Sequence, residues 1–272
     1  MKLLTWNLNG LDDTRLDERT EAAVFLAVTG CTLRQLAAGK TSHRAPDVLV
    51  LQEVVKRSFE AHLRVHLPRA GYVLYPSVAP GRAVFEVIAV RKPATISTAT
   101  TVPLEHSLNG RCLHIVEVEG VAGINRGIRV LTAHFDSGPT EGLVRVSAGR
   151  QVLAAMDGRS IFAGDTNMRD SEWGQIEAAG DHNRVSDAWD TVGRPHNLKR
   201  TWRMHGRSAR FDRIWLGADV HATAMTCIGD MPVPGLTDGR AGLTDGLAGL
   251  TDGPSDHIGL IVEVADQRAK LT

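Results

Sequence analysis

Asp47–Glu53 (DVLVLQE) constrains the chain more than any other stretch. Its apolar residues stand at consecutive positions, which leaves no face of an extended chain for water. The run is too short for a buried helix, so it reads as a strand covered on both faces. Other short apolar runs surround it. Lys2–Leu8 reads as a strand with Leu4, Trp6 and Leu8 on one face. Val84–Arg91, Cys112–Val118, Ile128–His134, Ser160–Gly164, Phe211–Leu216 and Ile258–Val264 read as further strands. Leu16–Ala38, Lys56–Leu67 and Glu141–Met156 read as helices, with Asp12, Asp13 and Thr14 as candidate caps for the first. Strands that alternate between hairpin-like neighbours and helix-separated pairs imply an α/β sandwich of mixed sheets. A single domain over residues 1–272 is expected.

Polar residues with chemical use end these runs. Asn7 follows Leu3-Leu4-Thr5-Trp6, Glu53 ends Val48–Gln52, Asp165 and Asn167 follow Ile161–Gly164, and Asp256 and His257 open the last strand. Ligands of open α/β sheets bind beyond the carboxyl ends of strands. One such residue is commonly a cap or a surface group; the whole set converging is a different matter. Oxygen ligands such as Glu53 suit a hard cation that keeps substrate phosphate in its shell. Asp165 suits the base that orients an attacking water. Asn167 and His257 suit donors to a phosphate that gains charge. His257 is useful as a cation only beside a carboxylate, for which Asp212 is the candidate. His134, after a strand, is a candidate second donor.

Lysine plus arginine and aspartate plus glutamate both count 31, so the net charge is zero. That argues against coating nucleic acid non-specifically, which rests on cationic neutralisation of phosphates. A local basic groove stays open. Arg194, Lys199, Arg200, Arg203, Arg207, Arg210 and Arg213 crowd one stretch in which only Asp212 opposes them, with Trp202 and Phe211 interleaved. Cations for a backbone and rings for bases are the needs of single-stranded nucleic acid; a solvated loop is the plainer alternative.

No apolar run is long enough to span a bilayer, and the first residues turn polar too soon for a signal peptide. Cys31, Cys112 and Cys227 fit neither a disulfide framework nor a zinc site, so a reducing cytoplasm is expected. The unit Gly-Leu-Thr-Asp-Gly recurs at 235–239, 242–246 and 249–253. These copies are too short for a solenoid, and 235–253 reads as a low-complexity loop insertion.

Thr5-Trp6-Asn7, Leu51-Gln52-Glu53-Val54, Gly164-Asp165-Thr166-Asn167, Arg210-Phe211-Asp212-Arg213-Ile214 and Ser255-Asp256-His257 resemble the ordered motifs of the endonuclease/exonuclease/phosphatase superfamily. Within it they are most similar to tyrosyl-DNA phosphodiesterases that cut 5′ linkages. His134-Phe135-Asp136-Ser137 and Thr201-Trp202 resemble two further motifs of that group. The resemblance implies a four-layer, deoxyribonuclease I-like sandwich of two mixed sheets with helices on the outer faces. It implies a magnesium or manganese cofactor held by Glu53, Asn7 and Asp256. Asp165, Asn167, His257, Asp212 and His134 would be catalytic. Arg169, Ser137, Trp202, Arg200 and Arg203 would meet the substrate. DNA ends, above all single-stranded 5′ termini, would be the partner, without a membrane, and the protein would work as a monomer. Asn9, Asp136 and Ile258 depart from the motifs, and none of them replaces a catalytic group. A phosphatase or phosphodiesterase of small phosphoesters or lipid headgroups is the alternative within the superfamily, and a non-catalytic nucleic-acid-binding module the alternative outside it.

Overall fold

In a computed structural model of the protein, residues 1–30, 44–77, 82–180, 185–229 and 253–267 are described. Cys31, most of the repeat at 235–253 and the 31–38 portion of the expected first helix lie outside them. The strands are β1 (Lys2–Asn7), β2 (Val48–Val55), β3 (Tyr72–Pro76), β4 (Val84–Arg91), β5 (Thr95–Pro103), β6 (Cys112–Glu119) and β7 (Ile128–Thr132). They continue as β8 (Ser160–Asp165), β9 (Val185–Asp187), β10 (Trp202–Met204), β11 (Arg207–Ala209), β12 (Asp212–Gly217), β13 (Val220–Ile228) and β14 (Gly259–Asp266). One six-stranded sheet runs β13-β14-β1-β2-β4-β3 and the other β5-β6-β7-β8-β12-β9, while β10 and β11 form a separate hairpin. The pairs β1/β2 and β7/β8 are parallel and the rest antiparallel, so both sheets are mixed as expected.

Side-chain alternation builds three apolar layers. Leu3, Val48, Val50, Ile88, Val116, Val130, Ile161, Ala163 and Ile214 fill the space between the sheets. Leu4, Trp6, Leu49 and Leu51 face outward beneath Leu26 and Ala27 of the helix Leu16–Thr29. Phe162 and Trp215 face outward on the other side, beneath Val146 and Val152 of the helix Gly142–Ala155. The double-faced strand read from DVLVLQE is therefore explained by Val48 and Val50 on one side and Leu49 and Leu51 on the other. Among the described residues no helix is long and apolar enough to cross a membrane.

Four expectations need correction. The first helix has Arg15 at its N-cap and no side-chain cap, so Asp12, Asp13 and Thr14 do not cap it. The first helix stops at Thr29, because Gly30 takes a left-handed cap with φ of 61° and its amide closes on Leu26 O. The Lys56–Leu67 helix runs as α over Lys56–Ser58, π over Phe59–Leu63 and α again over Arg64–Arg69. The basic stretch is less free than its composition suggests. Arg194 pairs with Asp190, Arg210 with Asp187, and the buried Arg213 with Asp170 and Asp187, none of which Asp212 supplies.

Candidate active site

Alternation also decides which polar side chains meet. Asn7 shares the inter-sheet face with Leu3, and Asp165 shares it with Ile161 and Ala163. Asp212 precedes Ile214 on the same face and lies directly opposite Asp165 in the β12/β8 register. Strict alternation would send Glu53 outward with Leu49 and Leu51. A bulge between Leu51 and Val54 prevents this, and Glu53 adopts φ of 51°. Gln52, before it, keeps the inter-sheet place that alternation gives it, donating to Thr132 Oγ1 (3.0 Å) and Thr5 Oγ1 (3.1 Å) and so tying one sheet to the other. The bulge is a local kink that re-aims one side chain.

Asp165 is 1% exposed. Its Oδ2 accepts from Asn7 Nδ2 and its Oδ1 from the Asn167 amide, each at 2.9 Å. Burial raises its carboxyl to a pKa of about 6; the His257 charge opposes that shift and the Asp212 charge adds to it. His257 Nδ1 lies 2.8 Å from Asp212 Oδ2, and its Nε2 lies 3.6 Å from Asp165 Oδ2. Burial alone would lower the imidazole pKa, but Asp212 and then Asp165 outweigh it and lift it to about 10. At neutral pH His257 is an imidazolium lying between Asp212 and Asp165. Asp165, Asp212 and His257 bring ligand atoms within 4.8 Å of one another, a grouping that can in principle hold a metal. The imidazolium already supplies the positive charge there, so a cation is better served elsewhere.

Glu53 is that place. Its carboxylate lies 3.6 Å from His134 Nδ1, and His134 Nε2 lies 3.4 Å from Asp165 Oδ2. Burial and the Arg111 and His257 charges hold His134 well below its ordinary pKa, so it is neutral, and its Nδ1 has no hydrogen-bond partner. Burial likewise raises the Glu53 carboxyl, against the His257 and Arg111 charges. A half-buried carboxylate beside the Asn7 amide, facing a neutral imidazole, is a donor set that fits a hard divalent cation.

Further groups hold this centre in place. Thr201 Oγ1 accepts from the Phe211 and Asp212 amides. Ser255 Oγ donates to Asn7 O and accepts from the His257 amide. Trp6 Nε1 donates to His257 O at 2.9 Å. Of the remaining expected site residues, Asp256 accepts from Trp202 Nε1 at 2.8 Å, and the Trp202 ring packs 5.2 Å from that of Phe211. Arg169 caps the helix Asp170–Ala178 and reaches Glu172, which Arg145 grips through two bonds. Ser137 is exposed after β7, and Arg200 and Arg203 are exposed beside and on the β10/β11 hairpin. The structure thus gathers Asn7, Glu53, His134, Asp165, Asn167, Asp212 and His257 at one mouth, with Asp256 and Trp202 joined at its rim. Reasoning from sequence missed Thr201, Ser255 and the buried Arg111. The first two stand inside the motifs named above, where a hydroxyl next to the chemistry was the available signal.

A profile of the Endonuclease/Exonuclease/phosphatase family matches residues 4–257. The chain belongs to this family. It is 27% identical over 276 residues to tyrosyl-DNA phosphodiesterase 2 of Mus musculus, covering 96% of this chain and 65% of that protein. It is 28% identical over 231 residues to the Homo sapiens protein of the same name, covering 79% of this chain and 57% of that protein. The chain therefore spans less than two thirds of these relatives' length. Among solved structures, D. rerio TDP2 complexed with single-strand DNA product superposes with a TM-score of 0.73 at 24% identity, over 97% of this chain and 98% of that one. At that identity the likeness establishes the fold, a two-sheet sandwich.

Proposed function

We propose that the chain is a metal-dependent phosphodiesterase that hydrolyses phosphodiester bonds at DNA 5′ ends, 5′-phosphotyrosyl adducts among them. The observation that carries this reading is the His257–Asp212 pair set against Asp165, with Asn7 joining Asp165 to the Glu53 side of the mouth. Asp165, ionised at neutral pH with a pKa of about 6, accepts a proton from a water whose oxygen attacks phosphorus. As the new P–O bond forms, the bond to the leaving oxygen breaks. His257, a cation kept by Asp212, donates to a phosphate oxygen as charge gathers there. Glu53 and Asn7 would hold magnesium, which when bound neutralises phosphate charge and stabilises the leaving oxygen. Trp202 at the rim, with Arg200 and Arg203 exposed beside it, supports a single-stranded end as substrate, because rings stack on bases and cations neutralise phosphates. The names of the relatives, and the single-strand DNA product in the D. rerio complex, support the choice of substrate.

The test is a cleavage panel with magnesium. It sets a 5′-phosphotyrosyl single-stranded oligonucleotide against abasic duplex, plain duplex and inositol phosphates. Preferred release of tyrosine is expected. Preference for inositol phosphates would replace the DNA reading with one on small phosphoesters, and no turnover on any substrate would leave a binding module.

A further inference from the structure

Arg19 sits in the helix Leu16–Thr29, is 7% exposed, and presents its guanidinium to backbone carbonyls. Nε donates to Thr14 O (2.9 Å), and Nη1 to Leu8 O (3.4 Å) and Pro254 O (3.3 Å). Nη2 donates to Asn9 O (3.2 Å) and to Asp12 O. One side chain so joins two segments more than 230 residues apart in sequence, as the separation of 235 between Arg19 and Pro254 records.

Both segments lead into the active centre. Leu8 and Asn9 directly follow Asn7. The Asn9 amide donates to Asn7 Oδ1 at 2.9 Å, so the peptide that Arg19 holds also orients the Asn7 amide toward Asp165. Gly10 packs so closely on β2 that a Cβ there would lie 2.2 Å from Glu53 O. The loop that Arg19 fixes is therefore the surface against which the Glu53 backbone rests. Pro254 precedes Ser255, whose hydroxyl bonds Asn7 O at 2.7 Å and receives the His257 amide at 3.1 Å.

We propose that Arg19 is a positioning residue of the active centre: by holding the carbonyls of the Leu8–Thr14 loop and of Pro254 together, it keeps Asn7, Glu53 and His257 in one register. The turnover part of this inference rests on the function proposed above. A lysine carries a point charge with three donors and cannot reproduce the fork of a guanidinium over five carbonyls.

The experiment uses Arg19→Ala, Arg19→Lys and, as a control, Arg57→Ala, which removes an exposed partner of Asp17. With magnesium and a chromogenic phosphodiester, both Arg19 variants are expected to lose about 100-fold in kcat, the size of loss that a displacement of about 1 Å can cause. Their KM should stay within about twofold, because the loss falls on the chemical step. Added guanidinium ion should restore part of the kcat of Arg19→Ala and leave Arg57→Ala unchanged. Amide hydrogen exchange on metal-free protein should show faster exchange in Leu8–Asp12 and Ser255–His257 of Arg19→Lys, with Ser160–Asp165 unaltered. A lowered melting temperature with unchanged kcat, or exchange that rises uniformly or nowhere, overturns the proposal. If Arg19→Ala does not fold, Arg19→Lys decides. If wild-type protein turns over nothing while the exchange pattern holds, the proposed function fails and the positioning role stands.

Discussion

Each sheet places an antiparallel pair beside a parallel pair, and beyond that an antiparallel strand and an edge strand. The first reads β13-β14, β1-β2, β4, β3 and the second β5-β6, β7-β8, β12, β9. Among the described residues, the helix Leu16–Thr29 lies between the parallel strands of the first sheet and the helix Gly142–Ala155 between those of the second. The sheets differ in what they carry to the common mouth. The second brings Asp165 and Asp212, both buried, with Asp165 taking two donors and Asp212 holding the His257 that the first sheet sends across. The first brings Glu53, 14% exposed in its side chain, on a bulge, facing a neutral imidazole. The protein alone completes the proton-handling half. The Glu53 carboxylate faces a neutral imidazole and, among the described residues, has no charged group at ion-pair distance, which suits a site for a cation.

The largest effect should come from the completed half. Asp165→Asn and His257→Ala are each expected to lower kcat by about 10²–10⁴-fold, the usual contribution of a positioned proton acceptor or donor. DNA affinity should change far less, and stopped-flow turnover with an equilibrium binding titration measures both. Wild-type turnover in either variant would remove that residue from the chemistry.

Asp212→Asn follows, read as stability in excess chelator. It leaves a buried imidazolium without its partner, a loss of about 3–5 kcal/mol when one member of a buried pair is removed. His257 has a folded pKa of about 10, above its unfolded value, so its contribution is complete at pH values below the ordinary histidine range. That contribution is lost as the pH rises through 10. Denaturation midpoints should therefore separate wild type from Asp212→Asn most at about pH 6 and least toward pH 10. A gap that widens with pH would contradict the pairing.

Glu53→Gln should act oppositely. In chelator its melting temperature should equal or exceed that of wild type, because a carboxylate whose ionised form burial disfavours is gone. The magnesium concentration for half-maximal turnover should rise by at least the 10–100-fold that loss of a supporting partner alone brings. An unchanged magnesium titration, or full wild-type activity in chelator, would end the metal assignment. Smallest is the rim. Trp202→Ala should weaken binding of a single-stranded 5′ end by about 1–3 kcal/mol. Arg200→Ala with Arg203→Ala should flatten the salt dependence of binding, by about one unit of slope for each phosphate no longer neutralised.

The buried strands and their polar ends were legible in the sequence because apolar runs record burial directly. Leu3 to Asn7, Val48 to Glu53 and Ile161 to Asp165 each carry the pattern. The edges were not legible. β5 (TISTATTVP) is mostly exposed and has no apolar alternation, and the hairpin of β10 and β11 showed only as a basic stretch. Nor could composition show that Arg210 and Arg213 turn inward to Asp187. Of the site, the residue types were readable and their partners were not. The bonds from Trp6 to His257 and from Ser255 to Asn7 cross 251 and 248 residues, and only the assembled sheets bring those atoms together. The bulge that turns Glu53 inward left no mark in an otherwise regular run.

The pairing of β14 with β1 has a consequence for the order in which a chain of this kind becomes active. The second sheet is contiguous from Thr95 to Gly217, so its strands can pair while a ribosome is still adding residues. The first sheet cannot close until β14 emerges and lies against β1, where Met1 N reaches Val264 O across 263 residues. The chain-entropy cost of that closure grows only as the logarithm of the separation, so the delay concerns sequence order more than stability. His257 arrives just ahead of β14. A nascent chain that has reached only Gly217 holds Asp165 and Asp212 but no imidazolium between them, and the proposed centre is assembled only once β14 lies against β1.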